Sequence, residues 1–340
     1  MNRNKVTKPK PKSEEKIFRV LPRQVEETLG AAMREWLPGE SWSQVRKIIE
    51  SRRLMLNGNV CVDDARRLKL QDVVKLLPHP SLAPPNEADV RIVFLDRHVV
   101  VVEKPSGVTS TRHHEEKHWP ARRRQIQPTL DEMLPAVIAR QEGRKNVKGK
   151  GSGKKNKLPP VRAVHRLDRD TSGLMVFART IAAQKHLEQQ FRKHTTGRRY
   201  MAIVHGHVIE QTIESRLVRD RGDGIRGSTS LPNTGKHSLT HVRPIEKLGD
   251  YTLVECRPET GRTHQIRIHL AEIGHPLCGE KIYLQPLFRQ PVKDISAAPR
   301  LALSAVELTF QHPITGETMH FESPLSADLR QLIKNLRKGG

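Results

Sequence analysis

Beyond residue 90 the apolar residues of this chain are gathered into short runs: Ile92-Val93-Phe94-Leu95, Val99-Val100-Val101-Val102, Leu174-Met175-Val176-Phe177-Ala178, Tyr200-Met201-Ala202-Ile203-Val204 and Tyr251-Thr252-Leu253-Val254-Glu255-Cys256. Runs of roughly four to eight residues, rich in β-branched and aromatic side chains and bounded by turn formers such as Lys104-Pro105-Ser106-Gly107, are the signature of buried strands. Helical spacing is confined to two stretches there. One runs from Ile181 to Lys193, the other from Gln265 to Ile273, with Ile266, His269, Leu270 and Ile273 on one face. Strands outnumber helices, which predicts an α+β domain built on a largely antiparallel mixed sheet.

The first part of the chain is organised differently. Residues 1 to 20 open on a Lys-rich tract almost devoid of apolar side chains, too polar to order itself, and are expected to form a disordered basic arm. From 21 to 78 a compact module emerges. Leu29, Met33 and Trp36 suggest one helix; Val45, Ile48 and Ile49 mark a second, with Ser41 or Ser43 as its N-cap. Leu54-Met55-Leu56 and Val60-Cys61-Val62 flank Asn57-Gly58, the dipeptide that best specifies a type I′ hairpin, and Val73 to Leu77 supplies a third strand. Arg46, Lys47, Arg52 and Arg53 are expected on the exposed face of the second helix. Residues 79 to 89 are Pro-rich and read as a semi-rigid linker, and a larger domain spans 90 to 330. Within it a Gly/Lys tract at about 143 to 158 is expected to be a flexible basic insertion.

A formal charge of +23 on 340 residues exceeds what solubility requires and points to a polyanionic partner, nucleic acid first. An anionic membrane is the rival, but no apolar run of about 18 residues and no signal-peptide core is found, so a soluble cytoplasmic protein, monomeric by default, is expected. Cys61, Cys256 and Cys278 are odd in number and far apart, against a disulfide framework. His275 and Cys278, with His264 and His269 nearby, raise a zinc site, which the lack of a second ligand pair at suitable spacing disfavours.

Asp168 lies in His165-Arg166-Leu167-Asp168-Arg169-Asp170-Thr171-Ser172-Gly173, between the alternating Val161, Ala163, Val164 and the apolar run from Leu174. Thr171, Ser172 and Gly173 are turn formers, so the pattern seats a carboxylate where the chain reverses between two core strands. Alone, the segment is compatible with a solvated loop. Two more segments bear on it: Gly197-Arg198-Arg199-Tyr200 at a strand start, and Glu259-Thr260-Gly261-Arg262-Thr263-His264-Gln265-Ile266-Arg267-Ile268-His269-Leu270, followed by Gly274-His275-Pro276-Leu277. Taken singly, Tyr200 reads as a core or rim aromatic, Arg262 as a cap, His264 as a satisfied core polar group and Arg267 as a solvated helix cation.

Taken together, these segments resemble the RluA family of pseudouridine synthases over residues 90 to 325, the Glu103-Lys104-Pro105-Ser106-Gly107 approach included. His165 favours that branch over its small-subunit relatives, which carry Gly there, whereas Glu280 stands where the family more commonly has Asp. The N-terminal module is similar to the S-four-type RNA-binding domain over residues 25 to 78, with Gln71-Asp72 in place of the usual Gly-Asp.

What the resemblance implies is isomerisation of selected uridines in RNA, with Asp168 as the catalytic carboxylate, acting either as a nucleophile or as a base on the ribose. A buried carboxylate stays ionised only beside a cation, and Arg267, by motif match, is the expected ion-pair partner. Tyr200 matches the tyrosine that packs on the uracil face, and Arg166 the residue that fills the stack once the target base is extruded. His165, Arg262 and His264 join Arg166 as expected RNA contacts. The reaction is redox-neutral and transfers nothing to water, so no metal or organic cofactor is expected. Large-subunit ribosomal RNA is the expected substrate, ahead of transfer RNA. The alternatives from other classes are a catalytically silent RNA-binding or ribosome-assembly factor and a zinc-dependent deaminase or nuclease.

Overall fold

The computed structural model describes residues 16–338 except 58, 82–84, 114, 115, 117, 119–123, 125, 126, 144–157, 223 and 285–289. The chain divides into two compact units, 1–83 and 84–340. The expected arm up to residue 15 and the core of the basic insertion lie outside the described residues.

In the first unit, β1 (Lys16–Arg19), α1 (Leu29–Trp36), α2 (Trp42–Glu50), β2 (Leu54–Leu56), β3 (Asn59–Val60) and β4 (Val73–Leu76) form a sheet of order β1-β4-β2-β3 with two helices. Its core is the apolar set that helical spacing and strand alternation pick out: Leu29, Met33, Val45, Ile49, Leu54 and Val74, joined by Leu68. The Thr28 hydroxyl caps α1 by accepting from Ala31 N. Ser41 caps α2 in a reciprocal box, Ser41 Oγ accepting from Gln44 N at 3.2 Å and Gln44 Oε1 from Ser41 N at 2.6 Å, which satisfies two amides the helix cannot. Asn57 takes φ 48° at the hairpin and Gln71 φ 70° at the turn before β4. The latter is a left-handed position, which glycine adopts more readily than a residue with a Cβ.

Two expectations for this unit are corrected. Residues 16–19, assigned to the disordered arm, pair antiparallel with β4, Phe18 opposite Val74, and Phe18 stacks on Trp36 with centroids 4.9 Å apart. One packed apolar residue, Phe18, accompanies the pairing because a partner strand and an aromatic surface are already in place, while Ile17 is exposed. Arg52 and Arg53 do not extend the cationic face of α2, which ends at Glu50. Arg52 is buried with φ 65°, and Arg53 Nε donates to Leu77 O at 3.0 Å.

The second unit contains β5 (Arg91–Leu95), β6 (Val99–Lys104), α3 (Leu130–Gln141), β7 (Arg162–Ala163), β8 (Ser172–Ala178), α4 (Ile181–Arg192), β9 (Gly197–His205), β10 (Gln211–Val218), β11 (Gly227–Ser228), β12 (Lys236–Leu248), β13 (Tyr251–Pro258), α5 (Gln265–Glu272), β14 (Leu303–Gln311), β15 (Thr318–Glu322) and α6 (Ala327–Lys338). One sheet of order β11-β10-β12-β13-β9-β14-β8-β6-β5 carries β15 on β14 and β7 on β8. Among the described strands, every pairing is antiparallel except β8 with β14, as the strand-rich pattern predicts. The central strands are apolar on both faces because both are covered. Val100, Val102, Met175 and Phe177 pack with Leu130, Leu134 and Leu270 on one side, while Val99, Val101 and Val176 pack with Leu187, Leu308 and Phe310 on the other.

Ser172 and Gly173, expected in a turn, instead begin β8. Gly173 has φ 114°, and a Cβ there would lie 2.1 Å from the Ala305 carbonyl oxygen. Only glycine permits this approach of two backbones. The loop that ends at Thr171 is therefore seated directly against β14.

Candidate active site

Asp168 stands in the loop between β7 and β8, and that loop is pinned to the turn after β6 by a dense set of backbone contacts. Lys104, 1% exposed, donates Nζ to the carbonyls of Pro105 (3.0 Å), Val108 (2.7 Å) and Arg169 (2.9 Å). Burial lowers the ammonium pKa to about 7, with the Asp170 and Asp168 carboxylates opposing the shift. The Ser110 hydroxyl donates to Leu167 O at 2.7 Å and accepts from Leu167 N at 3.1 Å, and Ser106 Oγ donates to Asp170 O. Residues on both sides of Asp168 are thus fixed, and its side chain, 15% exposed, opens into a cleft also lined by Arg166, Thr171, Arg198, Tyr200, Arg262 and Arg267.

Tyr200 lies on β9, nearly buried, and burial raises its hydroxyl pKa, so the phenol is protonated at neutral pH. Arg166 is exposed at the mouth of the cleft. Arg262 is half-buried and donates Nε to His237 O at 2.9 Å. These three occupy positions that suit a substrate platform and two cationic contacts.

Arg267 departs from expectation. Its guanidinium is bidentate to Glu280, Nε to Oε2 at 2.8 Å and Nη2 to Oε1 at 2.6 Å, rather than to Asp168. The Glu280 side chain is wholly buried and its Oε1 also accepts from Lys281 N and Ile282 N. A carboxylate stripped of water demands a matched guanidinium fork more strongly than the partly exposed Asp168 does. Burial alone would raise the Glu280 pKa, and the hydrogen bonds from Arg267 hold it below the usual carboxylate range instead. Asp168 still adds to the field that keeps Arg267 charged.

His165 is likewise not placed to contact RNA through charge. Its ring stacks on Phe191 at 4.4 Å, Nε2 accepts from Val176 N at 3.1 Å, and burial lowers its pKa to about 3. A neutral imidazole held by a strand amide orders the loop. His264 is beside the acid, Nε2 3.9 Å from Asp168 Oδ1. His269 and His275, raised as zinc ligands, bond to Ser215, Ser238 and Thr240 and to His205 O respectively. In the N-terminal unit Arg46 and Lys47 are exposed on α2, Arg46 3.5 Å from Asp64.

Several residues here escaped sequence reasoning. Arg198 lines the cleft with Nη2 on the carbonyls of Pro258 and Glu259, while its buried Nε and Thr171 Oγ1 have no partner among the described residues. Buried polar atoms without partners are uncommon and mark where a ligand can bond. Lys104, Glu280 and Tyr283 were each within or beside quoted motifs, but their roles depend on contacts remote in sequence.

A model of the RNA pseudouridylate synthase family matches residues 98–272. The chain is 34% identical over 322 residues to the uncharacterized RNA pseudouridine synthase YlyB of Bacillus subtilis, covering 93% of this chain and 95% of that one. It is 33% identical over 284 residues to the ribosomal large subunit pseudouridine synthase D of Zymomonas mobilis, covering 82% and 84%. Of solved structures, human RNA pseudouridylate synthase domain containing 4 shares the fold with a TM-score of 0.54 at 21% identity, over 72% of this chain and 92% of that chain. Fold and sequence together define an isomerase that acts on RNA. The chain belongs to the RNA pseudouridylate synthase family, the family its motifs resemble.

Proposed function

We propose that this enzyme converts one or more uridines of large-subunit ribosomal RNA to pseudouridine, with Asp168 as the reacting carboxylate. The observation that carries the reading is the seat of Asp168: a loop fastened on both sides, opening on a cleft that sets a protonated Tyr200 and several cations around one partly exposed acid. In the reaction the bond from ribose C1′ to uracil N1 breaks, the ring turns, C1′ bonds to C5, the C5 proton leaves and N1 gains one. Asp168 either adds to the ribose or takes a proton from it. Tyr200 offers the freed uracil an aromatic face, at which stacking offsets part of the cost of extruding the base. Arg166, exposed and unpaired among the described residues, is suited to enter the gap left in the RNA.

Support for ribosomal RNA comes from relatives named as ribosomal large subunit pseudouridine synthases, and from the N-terminal unit, read as an S-four-type RNA-binding domain. The test is direct. Asp168→Asn should abolish pseudouridine formation while RNA retention stays near wild type, and undiminished turnover would refute the assignment. Mapping pseudouridine in total RNA from cells with and without the gene should show the loss in large-subunit ribosomal RNA; a loss confined to transfer RNA would overturn the substrate.

A further inference from the structure

His264 forms the N-cap of α5 with φ 59° and ψ 18°, a left-handed conformation that costs energy for a residue with a Cβ. The ring is held in one place by Tyr283, 2% exposed, whose Oη lies 2.7 Å from His264 Nδ1. Among the described residues that hydroxyl has no other hydrogen-bond partner. Arg267 lies over the face of the same phenol, Cζ 5.1 Å from its centroid. On its other side the imidazole presents Nε2 to Asp168 Oδ1 at 3.9 Å.

The neutral imidazole has two tautomers. If Nδ1 carried the proton, the buried phenol would have no acceptor and the Nε2 lone pair would face a carboxylate. If the phenol donates to Nδ1, the hydroxyl is satisfied and Nε2 carries a proton toward Asp168. From this geometry we infer that Tyr283 locks His264 as its Nε2–H tautomer, making His264 a positioning residue that presents a neutral donor to the Asp168 carboxylate. At 3.9 Å the bond is not yet made; catalytic hydrogen bonds are often long before substrate binds and shorten in the complex. Neutrality matters because an imidazolium would pair with Asp168 and restrain it. Burial lowers the His264 pKa to about 4; Arg267 and Arg226 act in the same sense, while Asp168 and Glu280 oppose it. The same burial raises the Tyr283 hydroxyl pKa, keeping it a donor.

This inference rests on the reading of Asp168 given above, and one experiment separates the two. Glutamine places an amide donor where Nε2 sits, whereas asparagine reproduces only the Nδ1 position. Single-turnover pseudouridine formation would be measured on deproteinised total RNA from a strain lacking the gene, with RNA retention and thermal midpoint alongside. His264→Gln should stay within about threefold of wild type, while His264→Asn and Tyr283→Phe should each lose about tenfold or more in rate with retention unchanged, as expected for one lost hydrogen bond to a charged group. Nitrogen NMR should report the Nε2–H tautomer in wild type and a mixture in Tyr283→Phe. Equal rates for the glutamine and asparagine variants, or a faster asparagine variant, would overturn the inference even if Tyr283→Phe failed to fold. Activity in Asp168→Asn would instead remove the premise, so the two failures are distinguishable.

Discussion

Arg267 is buried with one carboxylate and overlooks a second, so its charge is committed before any substrate arrives. Removing one member of such a pair leaves the other unmatched in a dry interior. Glu280→Gln should therefore destabilise the fold by about 3–5 kcal/mol in denaturant titrations. Because the folded Glu280 pKa is depressed, its contribution is present above the unfolded value near 4.3 and is lost as pH falls through the folded value. The histidines act at higher pH. His269, fully buried, and His264 have pKa values lowered to about 4 by burial, against about 6.5 when unfolded. Their stabilisation is complete above pH 6.5 and declines as pH falls toward 4, since the unfolded chain binds protons that the folded one refuses. Thermal midpoints should thus begin to fall below about pH 6.5, and His269→Gln should flatten that limb; a flat profile between pH 6.5 and 4.5 would contradict it.

At the level of elements, the contact of Gly173 with Ala305 governs how β8 enters the sheet. Gly173→Ala puts a methyl into backbone that cannot yield and asks for a left-handed φ as well, so a loss of roughly 3 kcal/mol or more is expected in chemical denaturation, with activity falling as the Asp168 loop shifts. That contact was illegible in the sequence, where Thr171-Ser172-Gly173 reads as a turn, because its cause lies 132 positions away in β14. What could be read was local: the Asn57-Gly58 hairpin, the Ser41 cap, and strands whose apolar runs reflect burial on both faces. Helix α3 was missed because Pro135 lies inside it, and β12 because Lys236, His241, Arg243 and Pro244 break its apolar character. The site shows the same division. Asp168, Tyr200 and Arg267 are the residues the motifs single out, and one cleft is lined by all three. The partner of Arg267 was misjudged because nothing in the order of residues tells how deeply Glu280 is buried.

For the whole molecule, a net charge of +23 makes salt dependence the natural measure of RNA binding. If the N-terminal unit contacts RNA as proposed, the exposed Arg46 and Lys47 should each contribute a slope of about one in log affinity against log salt. The double variant R46Q/K47Q should lower the slope by about two without altering the rate at saturating RNA; an unchanged slope would argue against that role for α2. The parallel pairing of β8 with β14 also bears on when the Asp168 loop can be seated as the chain is made. Asp168 is made at mid-chain, yet the strand that seats its loop spans Leu303–Gln311. A nascent chain with Asp168, Tyr200 and Arg267 already outside the ribosome still lacks the strand on which the loop rests. The Asp168 loop therefore takes its seat only after β14 has been made.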